Sequence, residues 1–141
     1  MRKTDPITFY FRPEAKLIIC AHSAQVTNEE LLDSYQALFA NKSFDPSSNL
    51  LIDLRRTDSS LRRRPALEKL ALIVRSKYTS QSSSPRIGVI APKDLSFGLA
   101  RMYDSFAEAI PWEFAVFRTL EETLNWLGVN EAALPDALKT P

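Results

Sequence analysis

Five arginines crowd one short segment of this chain, and guanidinium groups suit the binding of phosphate or carboxylate by paired hydrogen bonds. The segment 55–64 has a single acid, Asp58, and a net charge of +4. Its arginines are Arg55, Arg56, Arg62, Arg63 and Arg64. The simpler interpretation is a solvated loop whose arginines pair with nearby carboxylates. Because no aromatic residue is interleaved with them to stack on bases, we predict no nucleic-acid binding.

A second pair of reactive side chains, Cys20 and His22, stands two residues apart on a predicted strand and therefore on one face of it. A cysteine nucleophile needs a converging base and a third group that orients the base, which side-by-side placement does not supply. One cysteine and one histidine also fall short of a tetrahedral metal site. The chain lacks the glycine-rich and His-Glu-x-x-His motifs that hold nucleotides or zinc. We therefore predict a buried cysteine, no catalytic residues, no metal and no cofactor.

Asp53 ends an apolar segment that is typical of a central strand. A carboxylate at such a place can belong to an active site, but no second carboxylate or base accompanies it at a recognisable spacing. We predict that Asp53 caps the following loop or pairs with Arg55 or Arg56.

The segment 96–103 combines aromatic and basic residues with a glycine on a predicted helix. Gly98 inside a helix costs roughly 1 kcal/mol relative to alanine, which suggests close approach of another element, a second subunit or a ligand. Phe97 and Arg101 are four residues apart and share a face. We predict a contact surface made of Phe97, Gly98, Arg101 and Tyr103. The alternative is that Gly98 lets the helix pack tightly on its own sheet.

An alternation of strands and helices must position these residues. Apolar and β-branched runs predict strands at 7–11, 17–21, 50–54, 87–91 and 113–117. Helices are predicted between the later strands from their start signals, which are capping boxes at Thr27 and Thr119, a proline at Pro65 and a cap at Asp94. Gly128 is predicted to close the last helix. In the third helix, the predicted core stripe is Leu95, Leu99, Met102, Phe106 and Ile110.

The resulting order, β-β-α-β-α-β-α-β-α, predicts a single α/β domain over residues 1–141. It has a mixed, mainly parallel sheet of four or five strands, an antiparallel hairpin at one edge and four flanking helices. The core spans about residues 5–128. The segment 129–141, which contains two of the prolines, is predicted to be a loosely held tail.

The bulk composition is that of an ordinary globular protein, with 141 residues, 45% hydrophobic and 25% charged. A net charge of +1 gives no overall attraction to nucleic acid or anionic membrane. One cysteine cannot form an internal disulfide, and no apolar run is long enough to span a bilayer. We therefore expect a cytoplasmic protein without membrane insertion.

Three stretches together resemble a known group of small bacterial proteins, called STAS/SEC14-like or SpoIIAA-like. They are Leu50-Leu-Ile-Asp-Leu-Arg55, the block Ile90-Ala-Pro-Lys-Asp-Leu-Ser-Phe-Gly-Leu-Ala-Arg-Met-Tyr103 and the ending Val116-Phe-Arg-Thr-Leu-Glu-Glu-Thr-Leu-Asn-Trp-Leu-Gly128. With the opening hairpin, the resemblance covers roughly residues 5–128 and implies a SpoIIAA-like fold. Most members of the group have no assigned function. The broader superfamily contains anti-anti-sigma factors, which bind partner proteins and are switched by serine phosphorylation, and SEC14-like domains, which hold apolar ligands.

The resemblance implies one modification site. The superfamily carries its regulatory serine in an Asp-Ser-Ser-Gly motif after the third strand, and this chain has Asp58, Ser59 and Ser60 at about that place, with Ser59 matching the phosphorylated serine. Leu61 replaces the glycine, and Pro65 marks a later helix start, which puts Ser59 in a loop. A phosphate there would add about 1.5–2 negative charges beside the arginines. The alternative is an unmodified polar loop.

These observations lead to two functional hypotheses. The first is a non-enzymatic regulatory or protein-interaction module, tuned by phosphorylation, that presents the loop 55–64 and the start of the third helix. Its partner is unknown, and a homodimer through the face of Phe97 and Arg101 is included. The alternative is a binder of a small apolar or amphipathic ligand in a pocket between helices and sheet.

Overall fold

Five strands form one sheet in the order of the chain in the computed structural model, which describes residues 5–78 and 84–139. The antiparallel hairpin consists of β1 (Ile7–Arg12) and β2 (Leu17–His22), with Ile7 opposite His22. Three parallel strands follow, β3 (Asn49–Asp53), β4 (Arg86–Ile90) and β5 (Glu113–Phe117). The predicted mixed, mainly parallel sheet is confirmed with five strands. Most of the polar link predicted at 81–85 lies outside the described residues.

The helices divide unequally between the two faces of the sheet. The crossover helices α1 (Asn28–Ala40), α2 (Arg64–Lys77) and α3 (Asp94–Phe106) share one face, because successive right-handed crossovers in one direction all fall on the same side. The other face carries α4 (Leu120–Leu127) and the short α5 (Asp136–Lys139). Within the described ranges, no helix has the length and apolar character needed to cross a bilayer.

The signals that start and end the helices act mostly as the sequence predicts. The Thr27 hydroxyl accepts a hydrogen bond from the backbone N–H of Glu30 at 3.0 Å, and the Glu30 carboxylate accepts one from the Thr27 N–H at 2.9 Å. Pro65 lies in the first turn of α2, and Gly128 closes α4 with φ of 70°. The exception is Asp94, which is the first residue of α3 rather than its cap and pairs with Arg118 at 2.8 Å.

The predicted core stripe of α3 is wrong by one residue. Its buried positions are Ser96, Ala100 and Tyr103, whereas Leu95 and Met102 are 52% and 37% exposed. Leu99 and Phe106, at the border of the buried face, are half-buried. Small side chains at 96 and 100 let the helix lie close to the sheet, so packing overrides the preference of the larger apolar residues for burial. The helix ends at Phe106, and Ile110 is buried in the turn that follows.

The segment after α4 is not the loosely held tail that its prolines suggest. A 3-10 turn at Glu131–Ala133 leads into α5, and Leu134 and Leu138 are buried against the same face as α4. The side chain of Arg12 also holds the Ala133 carbonyl at 3.0 Å. The helix α4 covers only part of this face of the sheet. The two leucines bury apolar strand residues on the rest of it.

Gly88 fixes how closely α4 approaches β4. A Cβ atom at Gly88 would lie 2.8 Å from the Thr123 methyl group and 3.3 Å from Leu127. Thr123 is fully buried, and its hydroxyl donates to the Thr119 carbonyl at 2.8 Å, so its side chain cannot turn aside without losing that bond. By contrast, a Cβ at Gly98 would meet nothing within 4 Å.

We expect opposite effects from the same substitution at these two glycines. Gly88→Ala should lower the free energy of unfolding by ~1–3 kcal/mol through overpacking. Gly98→Ala, on the exposed face of α3, should raise it by ~0.5–1 kcal/mol because alanine favours the helix. Urea unfolding of both variants measures the difference. A loss of stability in Gly98→Ala would contradict the open surroundings of Gly98.

Candidate ligand-binding site

A cavity separates the sheet from its three crossover helices. Its floor is formed by side chains of β3, β4 and β5, and its roof by α1, α2 and α3. The cavity has a volume of about 100 Å³ and opens to solvent at its mouth. Protein interiors seldom contain voids larger than a water molecule, so this cavity is a departure from ordinary core packing.

Most of the cavity wall is apolar and much of it aromatic. Ile52 and Val89 line the floor, while Leu67, Leu70 and Val74 of α2 line the roof. Rings close the end nearest the start of the strands, where Tyr103, Trp112 and Phe114 lie within 6.4 Å of one another by their centroids. The three rings meet at angles of 33–51°, within the usual range for packed aromatic side chains.

The opposite end of the cavity is polar and lies at the carboxyl ends of the parallel strands. Thr57 and Ser59 follow β3, Ser96 opens α3, and Arg62 leads into α2. Thr57 is 2% exposed, and its hydroxyl oxygen has no hydrogen-bond partner among the described residues. Ser59 and Arg62 are half-buried, so this end communicates with solvent.

Beside the polar end, His22, Tyr35 and Cys20 form a buried group without reactive character. The His22 Nε2 and Tyr35 hydroxyl atoms are hydrogen-bonded at 3.0 Å. Burial, with the nearby Arg62 charge and against the opposing Asp53, lowers the pKa of His22 to about 3. Burial also raises the pKa of Cys20 to about 12, despite a hydrogen bond to Tyr35. The imidazole is therefore neutral and the thiol protonated at neutral pH, which makes Cys20 a poor nucleophile.

Asp53 pairs with the first two arginines of the arginine-rich loop and so sets them apart from the other three. It is 3% exposed at the end of β3, and its carboxylate accepts hydrogen bonds from the Arg55 guanidinium at 2.9 and 3.0 Å. Arg55 and Arg56 also donate to the carbonyls of Leu138 and Ala137. These two arginines therefore hold α5, on the face opposite the cavity. The prediction that Asp53 pairs with Arg55 or Arg56 is confirmed.

The remaining arginines of the loop have separate surroundings. Arg62 lines the cavity, while Arg63 is exposed and donates its backbone N–H to the Asn28 side chain at 3.1 Å. Arg64 pairs with Glu68 at 3.5 Å and lies 5.3 Å from the Phe106 ring centroid. The five arginines thus do not converge on one anion site.

The serine that matches the superfamily's regulatory position lies at the cavity mouth. Asp58 is exposed and holds the Ser60 backbone N–H at 2.9 Å, which shapes the turn, and this bond lowers the pKa of Asp58. Ser59 lies in this turn, and its carbonyl accepts from the Arg62 backbone N–H at 3.0 Å. Because α2 begins only at Arg64, Ser59 is in a loop, as Pro65 indicates.

The predicted contact surface on α3 is only partly present. Tyr103 is buried and lines the cavity, away from the exposed face of α3. Phe97 is half-buried beneath Arg118, whose guanidinium carbon lies 4.1 Å from the ring centroid. Gly98 and Arg101 are exposed. Among residues 5–78 and 84–139, nothing would lie within 4 Å of a Cβ at Gly98, so the alternative of tight packing on its own sheet is wrong.

Known structures establish the fold. A crystal structure of an uncharacterised protein of the DUF3478 family from Shewanella loihica PV-4, described as having a SpoIIAA-like fold, superposes with a TM-score of 0.56. The alignment covers 86% of this chain and 91% of that chain at 21% sequence identity. The chain has a SpoIIAA-like fold. The predicted fold class is therefore confirmed, while an identity of 21% carries no activity across.

Sequence comparison adds no functional assignment to the SpoIIAA-like fold. No family model matches the chain, and no curated protein matches it. Within residues 5–78 and 84–139, no three His, Cys, Asp or Glu side chains gather in a group that could hold a metal ion. The cavity and its polar end are therefore the features from which a function can be argued.

Acid should destabilise the protein through His22, the only histidine in the chain. Below about pH 6.5 the unfolded chain binds a proton at this residue, whereas the folded protein keeps it neutral to about pH 3. Since the unfolded state binds more protons, the free energy of unfolding should fall by about 2 kcal/mol between pH 7 and about pH 5. Urea unfolding at the two pH values measures this loss.

The matched variant for this prediction is His22→Gln, which keeps a hydrogen-bonding group beside Tyr35. Its loss of stability over the same range should be less than half that of the natural protein. The carboxyl of Asp104, whose pKa is raised by burial, titrates alike in both proteins and cancels. Equal losses in the two proteins would show that His22 is protonated in the folded state.

Proposed function

We propose that this protein binds a small, mainly apolar ligand in the cavity between its sheet and α1, α2 and α3, without chemical turnover. The observation that supports this function is the apolar cavity between the sheet and its crossover helices. Its wall has the usual composition of small-molecule sites, apolar with a few polar groups at one end.

The energetic cost of the cavity favours an occupant. A void of about 100 Å³ in a core lowers stability by roughly 2 kcal/mol, since the wall atoms lose their packing partners. An apolar wall gains more free energy from contact with an apolar molecule than from contact with water. A ligand that fills the space would restore the missing contacts.

Filling the cavity from within should abolish ligand binding. Ala100 lines the cavity, and Ala100→Leu extends an apolar side chain into it. We expect binding of the fluorescent probe anilinonaphthalene sulfonate to fall at least tenfold, while far-ultraviolet circular dichroism shows that the variant keeps the fold. Native mass spectrometry should show retained small-molecule mass on the natural protein that is absent from the variant.

The control is Ala37→Leu, the same substitution at an exposed position of α1. This variant should bind the probe as the natural protein does. Equal probe binding in all three proteins would place the probe outside the cavity. A natural protein that binds no probe and carries no retained mass would refute the proposed function.

Contact with a partner protein is a second candidate function, and exposed apolar residues favour it. Leu61 lies in the arginine-rich loop and Leu95 in the first turn of α3, and they are 47% and 52% exposed. These are the two regions that the sequence predicts for partner contact. Phosphorylation at Ser59 would add negative charge to the same loop and change its complementarity.

A homodimer is the case of partner contact that can be tested with the purified protein alone. Sedimentation equilibrium should then show a dimer that Leu95→Glu weakens at least tenfold. Leu72→Glu, on the exposed face of α2 at 66% exposure, should leave the dimer intact. Ser59→Asp should shift the dimer constant if the phosphorylation switch operates. A monomer at all concentrations would refute the homodimer.

A further inference from the structure

Thr57 presents an unused hydrogen-bonding group to the cavity. The residue is 2% exposed, its side chain lines the polar end, and its hydroxyl has no partner among the residues that the structure describes. A buried hydroxyl without a partner lowers stability by about 1–3 kcal/mol. Its backbone carbonyl is already in use, since it accepts from the Lys93 ammonium at 3.5 Å. The hydroxyl is thus the group left to meet a ligand.

Arg62 brings an uncompensated positive charge to the same end. Its Nη1 atom donates to the Asn28 side-chain oxygen and its Nη2 atom to the Val26 carbonyl, both at 3.0 Å. Both acceptors are neutral, and no carboxylate of the described chain lies within ion-pair distance of Arg62, in contrast to Arg55, Arg56 and Arg64. Burial lowers the pKa of Arg62, which shows that the charge is partly desolvated.

The two hydrogen bonds of Arg62 fix the position of its guanidinium and leave other N–H groups able to donate. A guanidinium carries five N–H donors, and the two neutral acceptors account for two of them. The buried carboxylate of Asp53 cannot serve as the missing anion, because it is held by Arg55 and Arg56. Arg62 and Thr57 therefore bring a charged donor and a hydroxyl donor to the same polar end of the cavity, whose wall is otherwise mainly apolar.

We propose that the cavity binds an alkyl carboxylate, with its carboxylate on the Arg62 guanidinium and the Thr57 hydroxyl and its chain directed towards Trp112. One guanidinium balances one negative charge, and a carboxylate accepts a guanidinium N–H and a hydroxyl at the same time. The apolar wall between these residues and the ring cluster of Tyr103, Trp112 and Phe114 is where the alkyl chain lies. This assignment rests on the proposed function and names the ligand class.

Calorimetric titration of the full chain with three probes of equal chain length tests the head group. The probes are decanoate, decanol and decyl phosphate, added after ligand carried through purification has been removed on a hydrophobic resin. A charge-assisted hydrogen bond contributes about 1.5–3 kcal/mol, so decanoate should bind roughly 10–100-fold more tightly than decanol. Decyl phosphate should bind more weakly than decanoate, because among the described residues that line the cavity Arg62 alone carries a positive charge, and the Lys93 ammonium on the Thr57 carbonyl lies outside this lining.

Thr57→Val keeps the shape of the side chain and removes only the hydroxyl. It should weaken decanoate binding three- to tenfold, leave decanol binding unchanged and leave the protein at least as stable, since an unpaired buried polar atom is lost. Arg62→Met should abolish the preference for decanoate over decanol. The control is Thr123→Val, which removes a fully buried threonine hydroxyl on the opposite face of the sheet and should not alter decanoate affinity.

The outcomes distinguish failure of the carboxylate assignment from failure of the proposed function. Equal affinity for decanoate and decanol, or decanoate binding that is insensitive to Thr57→Val, would overturn the carboxylate assignment while leaving an apolar binding site. Tighter binding of decyl phosphate would assign the site to a phosphate head group instead. The absence of binding by all three probes would overturn both the assignment and the proposed function.

Discussion

The different distances at which helices approach the two faces of the sheet govern the rest of this structure. On one face, Gly88 lacks the Cβ that would meet Thr123 and Leu127, so α4 lies close to β4. On the other face, α1 and α2 present large side chains, such as Tyr35 and Leu67, to the sheet, and a cavity lies between them. The proposed function assigns the ligand to this second face.

The loop after β3 reaches both faces of the sheet, because its arginines bind different partners on the two faces. Asp53 fixes Arg55 and Arg56 on the face that carries α4, where they also bind carbonyls of α5. A few residues later, Arg62 reaches the cavity and is tied to the loop before α1 by Asn28 and Val26. A parallel bridge between Gln25 and Asp58 joins the same two loops. The polar end of the cavity is therefore held by backbone and side-chain contacts within the protein, and Arg62 is positioned by them without a ligand.

The sequence predicts those features that depend on local chemistry. The positions of the strands, the Thr27 capping box, Pro65 and Gly128 can be read from the sequence because each depends on the local backbone and its neighbours in the chain. The phase of α3 is not predictable in this way, since Ser96 and Ala100 are buried for their small size, and the value of a small side chain depends on what lies opposite. The tail is missed for a similar reason, because the prolines near it signal turns whereas Leu134 and Leu138 act only through a distant sheet face.

The cavity and Thr57 have no local signal at all. A void is a property of distances between elements that are far apart in the chain, and a threonine in a polar loop looks the same whether or not its hydroxyl finds a partner. The net charge of the loop 55–64 does not distinguish Arg62, which lines the cavity, from the four other arginines, which have other surroundings. An unpartnered buried group can be recognised only when every neighbour is known.

If the proposed function holds, these unfavourable features tie ligand occupancy to folding. A cavity of this size and an unpaired buried hydroxyl cost a domain roughly 3–5 kcal/mol, a large share of the 5–15 kcal/mol that holds an ordinary domain folded. A ligand that binds only the folded state would restore about 2.7 kcal/mol at one hundred times its dissociation constant. The groups that lower the stability of the empty protein are the groups that a ligand would contact. Binding would therefore be gained at the expense of stability at the same atoms.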